Sequence, residues 1–460
     1  MKYFKSYKWP ASIGFYITAV FITIFLSSCN IFGDRVGQQE QAVPTEAAVS
    51  AAEEESADIS AVNEITIWDK LEPKEQIELM SSIEQFIAVN QEIKINTRHF
   101  RSEEELIDQF RAASLAGAGP ELLIASLESS AALAEASVIK PITDDMTYPD
   151  IFNGLVEISN HEDKSYVIPF RAYDYLMLFY NREFVDEAPA SFAELMQYCE
   201  EVNIPAEETF GFIFNVYEAD WIIPFVGGYQ DWIYDYATGA ISLDSQAMIN
   251  TLEFLVMIYN EEELVPYGYE YEEINNAFKT GKAHMIINGN WAIEEYIEEG
   301  MDFGVAKIPI VWEGYKNPTP MLNGIGFMIN ANTFSKALDT TRSLIDYLMS
   351  EKIHEQWTQK TSTMPSLKSM ADSSFIASNQ VYSAEMQQIE ICRGKPPEEA
   401  LRAIRAAIMM NLENVLNGNI SPEEAAVKMQ EDVIKLRSGS AVNDIETNGT
   451  SGTSETSAQQ

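Results

Sequence analysis

Between Ile65 and Ser126 three short apolar runs alternate with two amphipathic ones, and this order restricts the possible folds more than any other feature. Ile65-Thr66-Ile67-Trp68 reads as a short buried strand, and Lys94–Phe100 (KINTRHF) alternates as a second. Glu121–Ser126 (ELLIAS) reads as a third. Between them, Ile77, Met80, Ile83 and Phe86/Ile87 recur at helical spacing. Ser102 and Glu105 have the spacing of a capping box, opening a helix that stops at Gly117. Strands separated by helices run parallel, because a parallel pair needs a crossover that leaves the sheet. The expected class is α/β, with ligands held at the carboxyl ends of the strands. Further strand-like runs fall at 166–169, 175–180, 210–214, 284–288, 304–308 and 326–329. Helical runs fall at 191–202, 245–261, 271–280, 334–350 and 398–417, without an internal repeat.

At 460 residues the chain exceeds one ordinary domain, and its 46% hydrophobic content suffices for large cores. Lys and Arg number 30 against 71 Asp and Glu, a net charge of −41. That balance excludes a nucleic-acid or anionic-membrane surface, which needs a basic patch, and disfavours polyanionic ligands. Four scattered histidines show no zinc-ligand spacing, and neither a metal nor a cofactor is implied. Cys199 and Cys392 either pair or remain buried free thiols.

The ends of the chain read differently from its body. Lys2, Lys5 and Lys8 precede an apolar run from Ala11 to Leu26, then Leu26-Ser27-Ser28-Cys29. This is the pattern of a secretory signal, and it resembles a bacterial lipoprotein signal over 1–28, with Cys29 carrying the lipid after cleavage. The alternative is an uncleaved anchor; either way the remainder lies outside the cytoplasm, at a membrane. Residues 29–63 are rich in Gln, Ala, Glu and Ser and read as a solvated linker, and 438–460 as a disordered tail. The folded body is 64–437.

Within that body, Glu272–Trp291 (EEINNAFKTGKAHMIINGNW) carries the most information. A helix ends at Gly281, a buried strand follows, and Gly289-Asn290 then sets the Trp291 indole on the loop leaving that strand. A bulky ring there is either a packing residue or a binding platform. Phe278, Gly281, Met285, Asn288, Gly289 and Trp291 resemble the signature of bacterial extracellular solute-binding proteins of ABC importers (family 1), in the maltose/maltodextrin-binding branch. Other segments resemble that family in the same order: Gly119-Pro120-Glu121, Tyr166–Pro169, Leu178–Asn181, Gly304–Pro309, Asn323–Asn330, Met364-Pro365 and Ser421–Ala425. The resemblance implies a two-lobed periplasmic-binding-protein fold (type II) with a three-segment hinge and a cleft between lobes. One lobe would be 64–172 plus 310–372, the other 173–309 plus 373–437.

For a sugar ligand, C–H faces stack on aromatic rings while hydroxyls need carboxylate, amide and Arg partners. In the stretch 215–236, Asn215 and Glu218 match the branch, with Tyr217 and Trp221 beside them and Asp220 in place of an aromatic. Trp291 matches the branch's stacking tryptophan. Glu128 keeps an acid of the cleft, while Ala125 and Ser129 replace a tryptophan and an arginine. The first crossing, Arg171-Ala172-Tyr173-Asp174, is one residue longer, leaving Tyr173 or Asp174 in the place of a binding carboxylate. Arg405 stands where the branch has an aromatic. These departures point away from maltose toward another mono- or oligosaccharide. Residue-level alternatives remain open: Tyr229–Tyr236 as a surface hairpin, Glu218 as a solvated acid, Arg171 answering a local carboxylate, and Tyr267, Tyr269 and Tyr271 as cleft rim or sheet cover.

The resemblance implies a monomeric, lipid-anchored carbohydrate-binding subunit that delivers ligand to membrane permease subunits, without catalysis. Two other classes stay open. Abundant acids would allow a glycosidase-type hydrolase, although the chain has no Gly-x-Ser-x-Gly, His-Glu-x-x-His or P-loop motif. A sensory sugar-binding lipoprotein would share every feature above.

Overall fold

The computed structural model describes residues 63–261, 266 and 269–439. The signal segment, Cys29, the linker before Asn63, Tyr267 and the tail from residue 440 lie outside the described residues.

The three opening apolar runs form the strands Asn63–Asp69, Ile93–His99 and Leu122–Ser126, with the first between the other two and parallel to both. The crossover helices are Pro73–Val89 and Glu103–Leu115. Ser102 Oγ accepts from the Glu105 amide at 3.2 Å, satisfying one orphan donor of the first turn. Gly117, at φ +76°, turns the chain after that helix ends, in a left-handed conformation that costs glycine little. Met321–Ile329 and Ile168–Tyr173 extend the sheet antiparallel, with the short Met364–Pro365 at its edge.

Three residues past Tyr173 the chain enters a second sheet. Its order is Phe303–Ala306, Leu176–Asn181, Ala283–Gly289, Phe210–Ile213, and the last two strands are parallel. Every residue of Ala283–Gly289 is buried, because helices pack on both faces of this strand. One face carries Phe179, Phe278 and Tyr296; the other carries Phe192, Phe212 and Phe225, with the long helices Glu398–Leu416 and Pro422–Arg437 behind. The two sheets define two lobes, and Lys74 of the first forms an ion pair with Glu294 of the second.

Helix Gln380–Ile389 packs where the chain passes between the sheets. Buried Glu385 accepts a hydrogen bond from Tyr175 Oη at 2.7 Å. Gln388 accepts from the Ile308 amide at 3.2 Å. The helix therefore touches two of the connecting segments through buried polar groups. Cys199 and Cys392 are both buried free thiols.

Candidate functional site

The parallel strands of the second sheet end at Ile213 and Gly289, and the candidate aromatic residues follow directly from those ends. Trp291 opens the helix Ala292–Glu298 and remains 45% exposed. Its Nε1 donates to Tyr271 Oη at 2.8 Å. The indole lies over the backbone of Gly289, where a Cβ would come within 2.1 Å of the ring. Glycine is thus required there for close approach, and the ring's orientation is fixed before any ligand arrives.

Trp221 plays a different part. It is buried, donates from Nε1 to the Ile287 carbonyl at 3.1 Å, and meets Trp291 edge-on with centroids 6.2 Å apart. It backs the platform instead of offering a face. Beside the platform, a concavity of about 670 Å³ is walled by Asn215, Tyr217, Glu218, Glu270 and Tyr271. Glu218 is exposed and accepts from Asn215 Nδ2 at 2.8 Å, and Asn215 Oδ1 accepts from the Tyr217 amide at 3.0 Å. The Asn215–Glu218 spacing read in the sequence is therefore one local hydrogen-bonded turn.

A second group is held by ion pairs. Arg405, on helix Glu398–Leu416, grips Asp220 with two hydrogen bonds, from Nε at 2.7 Å and from Nη2 at 2.6 Å. Those bonds raise the guanidinium's pKa further despite partial burial. Lys395 Nζ lies 2.8 Å from Glu128 and 3.1 Å from Asp174. Burial pulls its ammonium down, but Asp174 and Glu128 together outweigh that and hold it above its ordinary value. Glu128 also accepts from Asn323 Nδ2 at 2.6 Å. Asp174 has a left-handed backbone (φ +65°), and its amide donates to Asn290 Oδ1 at 3.0 Å, which ties the crossing to the loop carrying Trp291. Tyr173 is raised by burial, with Glu128, Glu103 and Asp174 adding to the effect. A groove lined by Glu128, Glu157, His161, Tyr234, Tyr236 and Lys395 joins residues of both lobes.

Arg171 belongs elsewhere, correcting its assignment to the site. It is fully buried against helix Glu351–Thr361, near the His354 carbonyl and Thr358 at 3.4 Å. His354 Nδ1 lies 3.3 Å away and must accept, since guanidinium only donates. Burial and then Arg171 push His354 well below its ordinary value, so the imidazole is neutral. The rings of Phe170 and Trp357 cover the guanidinium, and Glu75 and Glu78 partly offset its desolvation. It is a lobe-core residue.

Tyr229–Tyr236 also differs from a surface hairpin. Tyr229 closes helix Ala219–Gly228, and Trp232 and Ile233 are buried. Sequence reasoning passed over Lys395, whose signal is the basic stretch Arg393-Gly394-Lys395 before Pro396-Pro397 at a helix start. It also passed over Asn290, the variable position of the Asn-Gly-x-Trp motif.

Two lobes, an exposed oriented indole, nearby carboxylates and a groove between lobes define a two-lobed α/β binding protein that encloses a small ligand. The family model for bacterial extracellular solute-binding proteins matches residues 81–383, and the chain belongs to that family and is extracytoplasmic. The chain is 24% identical over 389 residues to the maltotriose-binding protein of Pyrococcus abyssi, covering 82% of this chain and 83% of that one. It is 24% identical over 382 residues to the galactooligosaccharide-binding protein of Bacillus subtilis, covering 79% and 87%. Among solved structures, a maltose/maltodextrin-binding domain from Bdellovibrio bacteriovorus bound to maltotriose superposes with a TM-score of 0.60 at 25% identity. That match covers 81% of this chain and 99% of the other. The relatives are named as binding proteins. No helix among the described residues is long and apolar enough to cross a membrane.

Proposed function

We infer that this chain captures a neutral mono- or oligosaccharide between its lobes and delivers it to the permease subunits of an ABC importer. The observation that carries this reading is Trp291: an indole 45% exposed, with its edge held by Tyr271 and one face on the Gly289 backbone. Such a ring costs free energy when it faces water and recovers it by stacking on a sugar's C–H face. Glu218 and Tyr217 stand beside it to meet hydroxyls, and Asp220, Arg405, Glu128, Asp174 and Tyr173 supply the polar counterpart. Trp221 supports the platform from beneath.

The ligands in the relatives' names, maltotriose and galactooligosaccharide, support an oligosaccharide class without choosing a linkage. The loss of ring positions at Ala125 and Arg405 favours a ligand other than maltose. The lobes are 64–172 plus 310–372 and 173–309 plus 373–437, supported by the partition of the longer strands between two sheets, while the short strand Arg393–Gly394 reaches back to pair with Met321–Leu322 of the first sheet. The working protein is a monomer held to the cell membrane by lipid on Cys29, with 29–63 as its tether.

A panel of neutral sugars screened by thermal unfolding tests this reading. At least one is expected to raise the midpoint of wild type by several degrees. No shift across maltooligosaccharides, galactooligosaccharides and common monosaccharides contradicts carbohydrate capture. Release of shorter sugars on long incubation contradicts a pure binder.

A further inference from the structure

Aromatic side chains are also presented away from the Trp291 platform, and the cleft reading does not use them. Trp312 and Tyr315, 40% and 39% exposed, lie on the loop between the strands Phe303–Ala306 and Met321–Ile329. With Tyr229, Asn250, Glu253 and Phe254 they line a cavity of about 430 Å³. Tyr315 meets Tyr229 edge-on with centroids 4.9 Å apart. Tyr315 also borders a second concavity of about 680 Å³ that reaches Trp232, whose face carries the Arg393 guanidinium at 5.3 Å.

The loop bearing these rings is clamped. The Thr319 amide donates to the Pro224 carbonyl at 2.8 Å, and the Lys316 amide to the Gly228 carbonyl at 3.2 Å. Gly227 is essential to the fit, because a Cβ there would lie 2.4 Å from Thr319. The loop that carries the rings is therefore held in place without a ligand, and Tyr315 packs on Tyr229, which lowers the ordering cost of binding. Two half-exposed rings beside one amide and one carboxylate, with no cation among the described residues that line the first cavity, suit an uncharged polyhydroxylated chain. An anionic ligand would meet Glu253.

We propose that this surface is a second carbohydrate site, outside the cleft, that holds a neutral glycan chain by stacking on Trp312 and Tyr315. The proposal rests on the carbohydrate reading of the cleft. Its role would be to keep a long chain near the protein while a short end or released oligosaccharide enters between the lobes.

The test is electrophoresis in native gels cast with soluble amylopectin, with β-1,4-galactan, or with neither, using wild type and three variants. At least one polysaccharide should retard wild type. Trp312→Ala/Tyr315→Ala should weaken that retardation about fivefold or more in apparent Kd, and Asn250→Ala more mildly. The double variant should keep the wild-type midpoint shift with short oligosaccharides, which shows that it folds and that its cleft works. Trp291→Ala should lose that shift yet keep most of the retardation. Failure of both polysaccharides to retard wild type overturns the second site, as does unchanged retardation of the double variant or loss of retardation in Trp291→Ala alone. Failure of the cleft reading has a separate signature, the absence of any oligosaccharide midpoint shift in wild type.

Discussion

The two polar-aromatic regions of the candidate site differ in how their groups are satisfied. Around Trp291 the apolar surface faces outward, and its single polar atom is already committed to Tyr271. Around Lys395 and Arg405 every charge already has a partner: Glu128 and Asp174 share the lysine, and Asp220 holds the arginine in a bidentate grip. The first region gains free energy simply by being covered. The second gains only if a ligand's hydroxyls replace or extend pairs that exist already, since breaking a partly buried pair leaves an uncompensated charge. The aromatic region should therefore set affinity, and the ion-paired region should set which hydroxyl pattern is accepted.

Substitutions can separate these roles. Among substitutions that leave the Trp291 ring itself in the chain, the largest effect is expected from Gly289→Ala. The new Cβ would fall within 2.1 Å of the Trp291 ring and must drive it from its seat, weakening the tightest-binding sugar about 30-fold, or about 2 kcal/mol, in titration calorimetry. An affinity within twofold of wild type would mean that the ring is not the platform. Lys395→Met is next, since it leaves Glu128 and Asp174 facing each other without a cation. Binding should weaken about tenfold, and adding Glu128→Gln should recover part of that loss; equal affinities in all three proteins would make this region a bystander. Arg405→Lys should cost about threefold and shift the ranking of sugars, because an ammonium cannot reproduce the bidentate contact with Asp220.

A fourth expectation concerns stability and leaves binding unchanged. Glu385 is 1% exposed, and burial raises its carboxyl to about 8. The folded chain therefore holds a proton that the unfolded chain releases near its ordinary value. Stability should fall as pH rises from about 5 to about 8 and level off above the folded value. Glu385→Gln should flatten that slope in thermal unfolding, and an unaltered slope would assign the dependence to other groups.

The fold was legible because its signals are local. The alternation of apolar runs across 65–126 required parallel strands, and the order of later runs placed most of the second sheet within a few residues. Trp291 was legible because glycine before a large ring on a post-strand loop is a local pattern. Arg171 was misplaced because its partners, His354 and Thr358, lie far along the chain, and nothing near residue 171 shows that a helix covers it. Distance along the chain likewise hid the Asp220–Arg405 pair, although each residue was singled out alone. Lys395 went unseen because one lysine among many acids reads as a surface charge until two carboxylates are found around it. Trp221 and Trp291 are equally conspicuous in sequence, and only packing reveals that one is covered and the other presented.

The most direct measurement is titration calorimetry of wild type and Trp291→Ala with the neutral sugar that most raises the wild-type midpoint. Wild type should bind one molecule per cleft saturably. The variant should bind about 30-fold or more weakly with an unchanged ligand-free unfolding midpoint, because the ring it loses is half in solvent. Equal affinities in the two proteins would contradict capture of a sugar on this platform.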